Sequence, residues 1–291
     1  MLLPKFQYHE PSTLDEVCQI MAELKEKARP LAGGTDLLVN MKKQIVSPEN
    51  VVSLGRVGEL KEENLSNGQL RLGACIIAAD VAQSKNIKDK FSALSVGANS
   101  LGSPLIRNLA TIGGNIVTAR PAADFPPPLM AYGAHVVLKK SSGERTVSLD
   151  DLFRGPGETV IEHDEILSEI VLETPPPHSG AAYIKLGVRK ALEISLVNVA
   201  AFISLEGQDG PIKMSRVVLG AVAPTPMRAT TAEQVLLAEK PNEALFGKAG
   251  EAAAGDSKPI DDFRGSAEYR RAMVEVLTRR ALNMAYEEAK K

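Results

Sequence analysis

Two glycine pairs, far apart in the chain, constrain this sequence more than any other feature. They are Leu31-Ala-Gly-Gly-Thr-Asp-Leu37 and Thr111-Ile-Gly-Gly-Asn115. Each sits beside a hydroxyl residue with apolar neighbours. Glycine reaches left-handed backbone angles and leaves room for close approach to the main chain. Successive exposed N–H groups then form a concavity suited to an anion. Either pair alone reads as a tight turn, whereas two with matching flanks predict two sides of one pyrophosphate. Neither segment is Gly-x-Gly-x-x-Gly, and no Gly-Lys-Ser/Thr follows, so the Rossmann and P-loop fingerprints are both missing.

Bulk properties remove several classes of function. The 291 residues suffice for two or three domains. With 34 Lys and Arg against 36 Asp and Glu, the net charge is −2, and no basic excess points to nucleic acid or an anionic membrane. Trp is absent, which disfavours a base-stacking surface. Cys18 and Cys75 are too few to ligate an iron–sulfur cluster and fit a reducing compartment. His9, His135, His163 and His178 are scattered, so no metal site is expected. No apolar run spans a membrane and no cleavable leader is evident, so the expected location is the cytoplasm.

Along the chain, Phe6 to His9 reads as a strand, and a helix capped by Ser12 or Thr13 carries Val17, Ile20, Met21 and Leu24. Pro30-Leu31-Ala32 reads as a strand running into the first glycine pair. Thr35 or Asp36 caps the next helix, and Asn50 to Leu54 closes an α/β unit. Further strands are expected at Gln69–Gly73, Ala134–Lys139, Arg145–Leu149 and Glu165–Glu173, with helices at Ala78–Gln83 and Phe91–Asn99. Leu152 to Gly157 reads as a loop, and Pro175-Pro-Pro177 as a stiff linker. Beyond it lie strands at Ala182–Leu186, Val197–Leu205 and Met214–Ala221, and a helix opened by Thr230-Thr231-Ala-Glu233. The Ala/Gly stretch 249–255 reads as a flexible loop. From Ser266 a long helix is expected to bury Tyr269, Met273, Val276, Leu277 and Met284. The resulting domains are 1–57, 58–176 and 177–291.

These segments resemble the FAD-binding subunit of the molybdenum hydroxylases, the family of xanthine dehydrogenase, aldehyde oxidase and carbon monoxide dehydrogenase. The resemblance rests on both glycine segments, on Asp124 and Asp164-Glu-Ile-Leu167, and on Tyr183-x-Lys185 with Arg189. It continues through Val222-Ala-Pro-Thr-Pro-Met-Arg228, Tyr269-Arg-Arg, Val276-Leu277 and Arg280-Ala-Leu282. It therefore covers the chain from end to end. It implies an α+β fold like that of vanillyl-alcohol oxidase (PCMH-type): two α/β FAD-binding subdomains, then a C-terminal three-stranded antiparallel sheet with helices. It further implies that FAD lies between the first two parts and touches Pro30, Leu31, Ala32, Gly33, Gly34, Thr35, Asp36 and Leu37 on one side. On the other side it would touch Leu101, Ala110, Thr111, Gly113, Gly114, Asn115, Val117 and Thr118.

The chemistry of the remaining positions fits that implication. A carboxylate at Asp124 can accept from a ribose hydroxyl or an adenine amine. A cation at Lys185 can steady the negative charge that reduction builds on the flavin. Ile166 and Leu167 are expected to pack near the ring or ribityl chain, and Asp36 beside an anion reads best as a helix cap. No acid–base or nucleophile set is visible, which suits electron transfer. The resemblance implies a large molybdopterin-binding subunit and a small [2Fe–2S] subunit as partners, in a dimer of heterotrimers. The acceptor would be NAD, a quinone or another oxidant. A cysteine-rich cluster loop, carried by the 4-hydroxybenzoyl-CoA reductase branch, is missing here. Two alternatives remain open: a self-contained flavin oxidase or dehydrogenase, which a substrate alone would reduce, and a redox-silent nucleotide-binding assembly subunit.

Overall fold

A computed structural model describes residues 2–189 and 192–291. The first unit alternates β1 (Gln7–His9), α1 (Leu14–Leu24), β2 (Ala28–Leu31), α2 (Leu37–Lys42) and β3 (Asn50–Ser53). Its sheet is parallel in the order β1-β3-β2. Pro30, which has no amide to donate, lies on the edge strand β2. Thr13 caps α1, its hydroxyl accepting from Glu16 N while the Glu16 carboxylate reaches back to the cap. Leu14, Val17, Cys18 and Met21 bury against Val52 and Leu54.

The middle unit contains β4 (Glu63–Ser66), β5 (Gln69–Gly73) and a helical run, α3 (Ala78–Gln83), α4 (Lys85–Lys90), α5 (Ser92–Ser100), α6 (Pro104–Arg107), α7 (Ile112–Val117) and α8 (Pro126–Ala131). Then come β6 (His135–Lys140), β7 (Gly143–Ser148), the short pair β8 (Phe153–Gly155) and β9 (Glu158–Thr159), and β10 (Ile166–Glu173). The main sheet is antiparallel, in the order β4-β5-β10-β6-β7. The segment 152–157, expected as a loop, therefore contains one arm of a small hairpin.

The last unit has β11 (Ser179–Leu186), β12 (Val197–Leu205), β13 (Ile212–Gly220) and the short β14 (Met227–Arg228), then α9 (Thr230–Leu236), α10 (Glu243–Asp256) and α11 (Ala267–Ala289). Its sheet has four antiparallel strands where three were expected, because Met227–Arg228 pairs with β13. Three other expectations fail here for identifiable reasons. The stretch 249–255 belongs to α10: Asn242 Oδ1 caps the helix, and its small residues permit close packing on α11. At Gly250 an added Cβ would lie 2.6 Å from the Glu275 carbonyl oxygen. Glu233 does not take part in a cap of α9. It is buried and accepts from Val217 N and from Arg228. The buried face of α11 is turned from the expected one and runs through Arg270, Val274, Leu277, Thr278, Ala281, Leu282 and Ala285, leaving Tyr269 and Met284 exposed.

The core does not respect the boundary at 176. One buried cluster joins Leu94, Phe91 and Tyr132 of the middle unit to Tyr183, Phe202 and Val218 of the C-terminal sheet. Gly180 lets α11 lie directly on β11, since an added Cβ there would meet Ala285 O at 2.1 Å.

Candidate functional site

The two glycine segments meet face to face. A Cβ at Gly33 would fall 1.8 Å from Leu109 O, so this glycine is required by contact between the segments themselves. Gly34 has φ +72°, a left-handed turn backed by Leu31 and Leu38. Gly113 fits under Ala74, whose Cβ would be 2.6 Å from an added Cβ. Only Gly114 has little around it, the hydroxyl of Thr111 being its one near neighbour.

The segments differ in what their backbone offers. Thr111 caps α7, its Oγ1 accepting from Gly114 N at 3.1 Å. Ile112 N donates to Ile76 O at 3.0 Å, Gly113 N to Ala74 O at 2.8 Å, and Asn115 N to Thr111 O at 3.0 Å. The amides of the second segment are thus already committed to the protein. In the first segment the N–H groups of Gly33, Gly34, Thr35, Asp36 and Leu37 have no acceptor among the described residues. That run of free donors around a left-handed glycine is the concavity an anion requires. Of the two segments expected to offer backbone N–H groups to an anion, only the first leaves them without an acceptor among the described residues. The second contributes shape, together with the Asn115 side chain, whose Oδ1 accepts from Phe125 N at 3.2 Å and whose amide NH2 has no acceptor among the described residues.

Between the segments lies a cleft of about 420 Å³. It is walled by Pro30, Ala32 to Leu37, Leu101, Ala110, Thr111, Gly113 to Asn115, Val117, Thr118, Ile166 and Leu167, all singled out from the sequence. Three candidates lie outside this wall. Leu31 packs behind Gly34. Asp124 and Lys185 are joined to each other: Lys185 Nζ donates to Asp124 Oδ2 at 2.9 Å and to Ser100 O at 3.0 Å, and the Tyr183 hydroxyl donates to Asp124 Oδ1 at 2.8 Å. Burial pushes the Asp124 carboxyl above the usual carboxylate range, and the neighbouring Lys185 ammonium opposes that rise. Asp124 and Lys185, expected in separate roles, stand together as one buried pair. Asp36 is also corrected. It stands at the start of α2 but makes no capping hydrogen bond; it is exposed and lines the cleft.

Sequence reasoning missed several residues of the wall. Arg29 brings a guanidinium, which donates to Glu26 O and Ala28 O. Cys75 brings a buried thiol pushed up to about 11 by desolvation. Glu165 brings a buried carboxylate. Only Glu165 had a sequence signal, its place inside Asp164-Glu-Ile-Leu167. A second cavity of about 820 Å³ shares Asp36, Asn115 and Thr118 with the cleft and is lined by Asp124, Arg120, Lys258 and Ile194 among others. Backbone strain gathers beside it: Ala119 (φ +46°), Leu192 (φ +53°) and Ala221 (φ +63°) are non-glycine residues in the left-handed region. Such outliers cost about 1–3 kcal/mol each and concentrate at functional sites.

A family model described as the FAD binding domain in molybdopterin dehydrogenase matches residues 4–175, and the CO dehydrogenase flavoprotein C-terminal domain matches residues 182–285. The chain is 32% identical to the carbon monoxide dehydrogenase medium chain of Hydrogenophaga pseudoflava, covering 98% of this chain and 99% of that one. It is 30% identical to the putative xanthine dehydrogenase FAD-binding subunit of Escherichia coli, covering 96% and 95%. A solved carbon monoxide dehydrogenase from Hydrogenophaga pseudoflava superposes with a TM-score of 0.94 over 99% of both chains at 32% identity. The quinoline 2-oxidoreductase of Pseudomonas putida 86 superposes at 0.92 over 100% of both chains, at 28% identity. With the family model spanning more than half its length, this chain belongs to the family of FAD-binding medium subunits of the molybdenum hydroxylases.

Proposed function

We infer that this chain carries FAD as the electron-transfer subunit of a multi-subunit molybdenum hydroxylase-type dehydrogenase. The observation that supports this reading most directly is the run of five amides, Gly33 to Leu37, that have no acceptor among the described residues and belong to a segment lining the cleft together with the second glycine segment. A buried diphosphate is tolerable only where donors compensate its charge. These amides, the Thr35 hydroxyl and the Asn115 side-chain amide supply them. Leu101, Val117, Ile166 and Leu167 supply apolar contact for the rest of the cofactor and exclude water from it. The cofactor, once bound, accepts electrons singly or in pairs and passes them on.

The rest of the assembly follows from that role. A small [2Fe–2S] chain would deliver electrons and a large molybdopterin chain would oxidise the organic substrate, in a cytoplasmic dimer of heterotrimers. The second cavity adjoins the cleft at Asp36, Asn115 and Thr118 and would give NAD or another acceptor a way in. The test is a visible spectrum of the purified chain before and after addition of FAD. Uptake of one FAD with a shifted flavin band is expected. A chain that takes up no flavin under any loading condition sinks the reading. A loaded chain that oxidises an organic substrate without partners would favour the self-contained oxidase.

A further inference from the structure

The acids in the wall of the second cavity are Asp36, Asp124, Glu193 and Asp262, and its cations are Arg120, Lys258, Arg264 and Arg270. Most of the acids are already matched. Asp262 takes two cations of the wall, Arg264 Nη2 at 2.6 Å and Arg270 Nη2 at 2.6 Å. Asp124 is paired with Lys185 at 2.9 Å and Glu193 with Arg189 at 2.8 Å, both partners standing outside the wall. Arg120 and Lys258 are exposed and make no ion pair or side-chain hydrogen bond among the described residues. Asp36 is the acid left over, and it stands at the junction with the cleft. With Lys185 and Arg189 answering two of the acids from outside, the cavity has a positive excess in a chain whose net charge is −2.

The backbone sets the two unpaired cations on adjoining segments. Ala221 N donates to Pro121 O at 2.7 Å, and Lys258 N donates to Val222 O at 2.8 Å. The residue after Arg120 and Lys258 itself are thus tied to consecutive residues of one turn. Ala119 (φ +46°) and Ala221 (φ +63°) flank this join, so the wall is held in place against backbone strain. A concave wall with an excess of one sign focuses its field on a ligand of the other sign. About 820 Å³ lies within the range of small-molecule sites, about 300–1,000 Å³, so the fitting occupant is a small anion-bearing molecule. Two long, mobile cations suit a diphosphate, one for each phosphoryl group, whereas a neutral quinone draws nothing from either.

We propose that Arg120 and Lys258 determine the class of electron acceptor: they hold the diphosphate of an anionic, nucleotide-bearing acceptor in the second cavity, in preference to a neutral quinone. The proposal rests on FAD occupying the cleft, so the FAD content of every protein is measured first. ADP-ribose, which carries a nucleoside diphosphate and no redox ring, is then titrated by calorimetry into the FAD-loaded chain. Saturable binding is expected, weakening as salt is raised from about 0.05 to about 0.5 M, as attraction between exposed charges does. Arg120→Gln and Lys258→Gln should each weaken it severalfold to about tenfold. Arg120→Lys keeps the charge and should retain most of the affinity. Both side chains are exposed, so all three variants should melt with the unaltered chain. A chain that takes up no FAD overturns the reading of the cleft and this proposal with it. A loaded chain that binds no ADP-ribose overturns this proposal alone. Equal binding by the glutamine variants does the same, as does loss of FAD from either of them, which would give the cations to the cofactor.

Discussion

Gly33 and Gly114 look equivalent in the sequence and differ in the structure. A methyl at Gly33 meets the Leu109 carbonyl, which is backbone and cannot step aside. Gly33→Ala should therefore destabilise the fold by about 1–3 kcal/mol, as overpacking does, and should impair FAD loading. Thermal denaturation and a flavin spectrum check both. At Gly114 a methyl meets only the Thr111 hydroxyl, at 2.8 Å. Gly114→Ala should cost about 1 kcal/mol, the worth of the helix cap that the hydroxyl provides. If the two variants melt alike, the difference in packing is refuted. The sequence showed where the glycine pairs are but not which neighbour each one meets. That depends on chain segments distant in order, Leu109 for Gly33 and Ala74 for Gly113. The same limit explains Asp124 and Lys185, which each carried a plausible role alone and are joined in space.

Glu165 offers a second test at this scale. Its folded carboxyl lies below the ordinary glutamate value near 4.5, first because of the Arg145 hydrogen bonds. A carboxyl depressed in the folded state stabilises the protein above its unfolded value. That contribution is lost as pH falls through the folded one. Arg145 is 43% exposed, so solvent screening limits the effect to about 1 kcal/mol. The stability difference between the unaltered chain and Glu165→Gln should be full at pH 7 and shrink steadily below about pH 4.5 in chemical denaturation. A difference that does not change with pH contradicts an ionised, paired Glu165.

Among the elements, α10 shows most clearly what the sequence hides. Ala and Gly between 249 and 255 have no amphipathic stripe of large residues, and that composition reads as loose chain. In the fold the small side chains bring α10 close to α11, and Phe246, Ala249 and Ala253 bury completely. The alanines favour helix, and packing outweighs what Gly250 and Gly255 cost. Gly250→Val should destabilise the C-terminal unit by about 1–3 kcal/mol, because its side chain would press on the Glu275 carbonyl. Asn242→Ala should cost about 1 kcal/mol through its lost cap. Both losses should appear in denaturation midpoints, and a neutral Gly250→Val would show that the two helices are not in contact. The strands were more legible: alternation and turn residues located β1, β5, β6, β7 and β10 to within a residue or two. The two-residue β14 and the short β8–β9 pair carry too few residues for a pattern to register.

For the whole molecule, the question is whether the parts joined at Pro175-Pro-Pro177 unfold together. The linker composition suggests independence, but the buried cluster crosses it, with Tyr132 edge-on to Phe91 at 5.2 Å and to Phe202 at 6.0 Å. The Asp124–Lys185 pair crosses it too, both side chains being nearly buried. Removing one member of a buried pair leaves the other charge uncompensated and costs about 3–5 kcal/mol. Lys185→Met should therefore lower the stability of the middle and C-terminal units together. Asp124 should then respond to pH: burial already raises its carboxyl, and without the ammonium it would rise further. A carboxyl raised in the folded state favours folding at low pH, so the Lys185→Met variant should recover stability as pH falls through the raised folded-state value of Asp124 and lose it again as pH rises through that value. Circular dichroism and the fluorescence of a dye attached at an exposed C-terminal site should trace the same transition in both proteins. Two separated transitions in the unaltered chain would mean that the shared core does not couple the units.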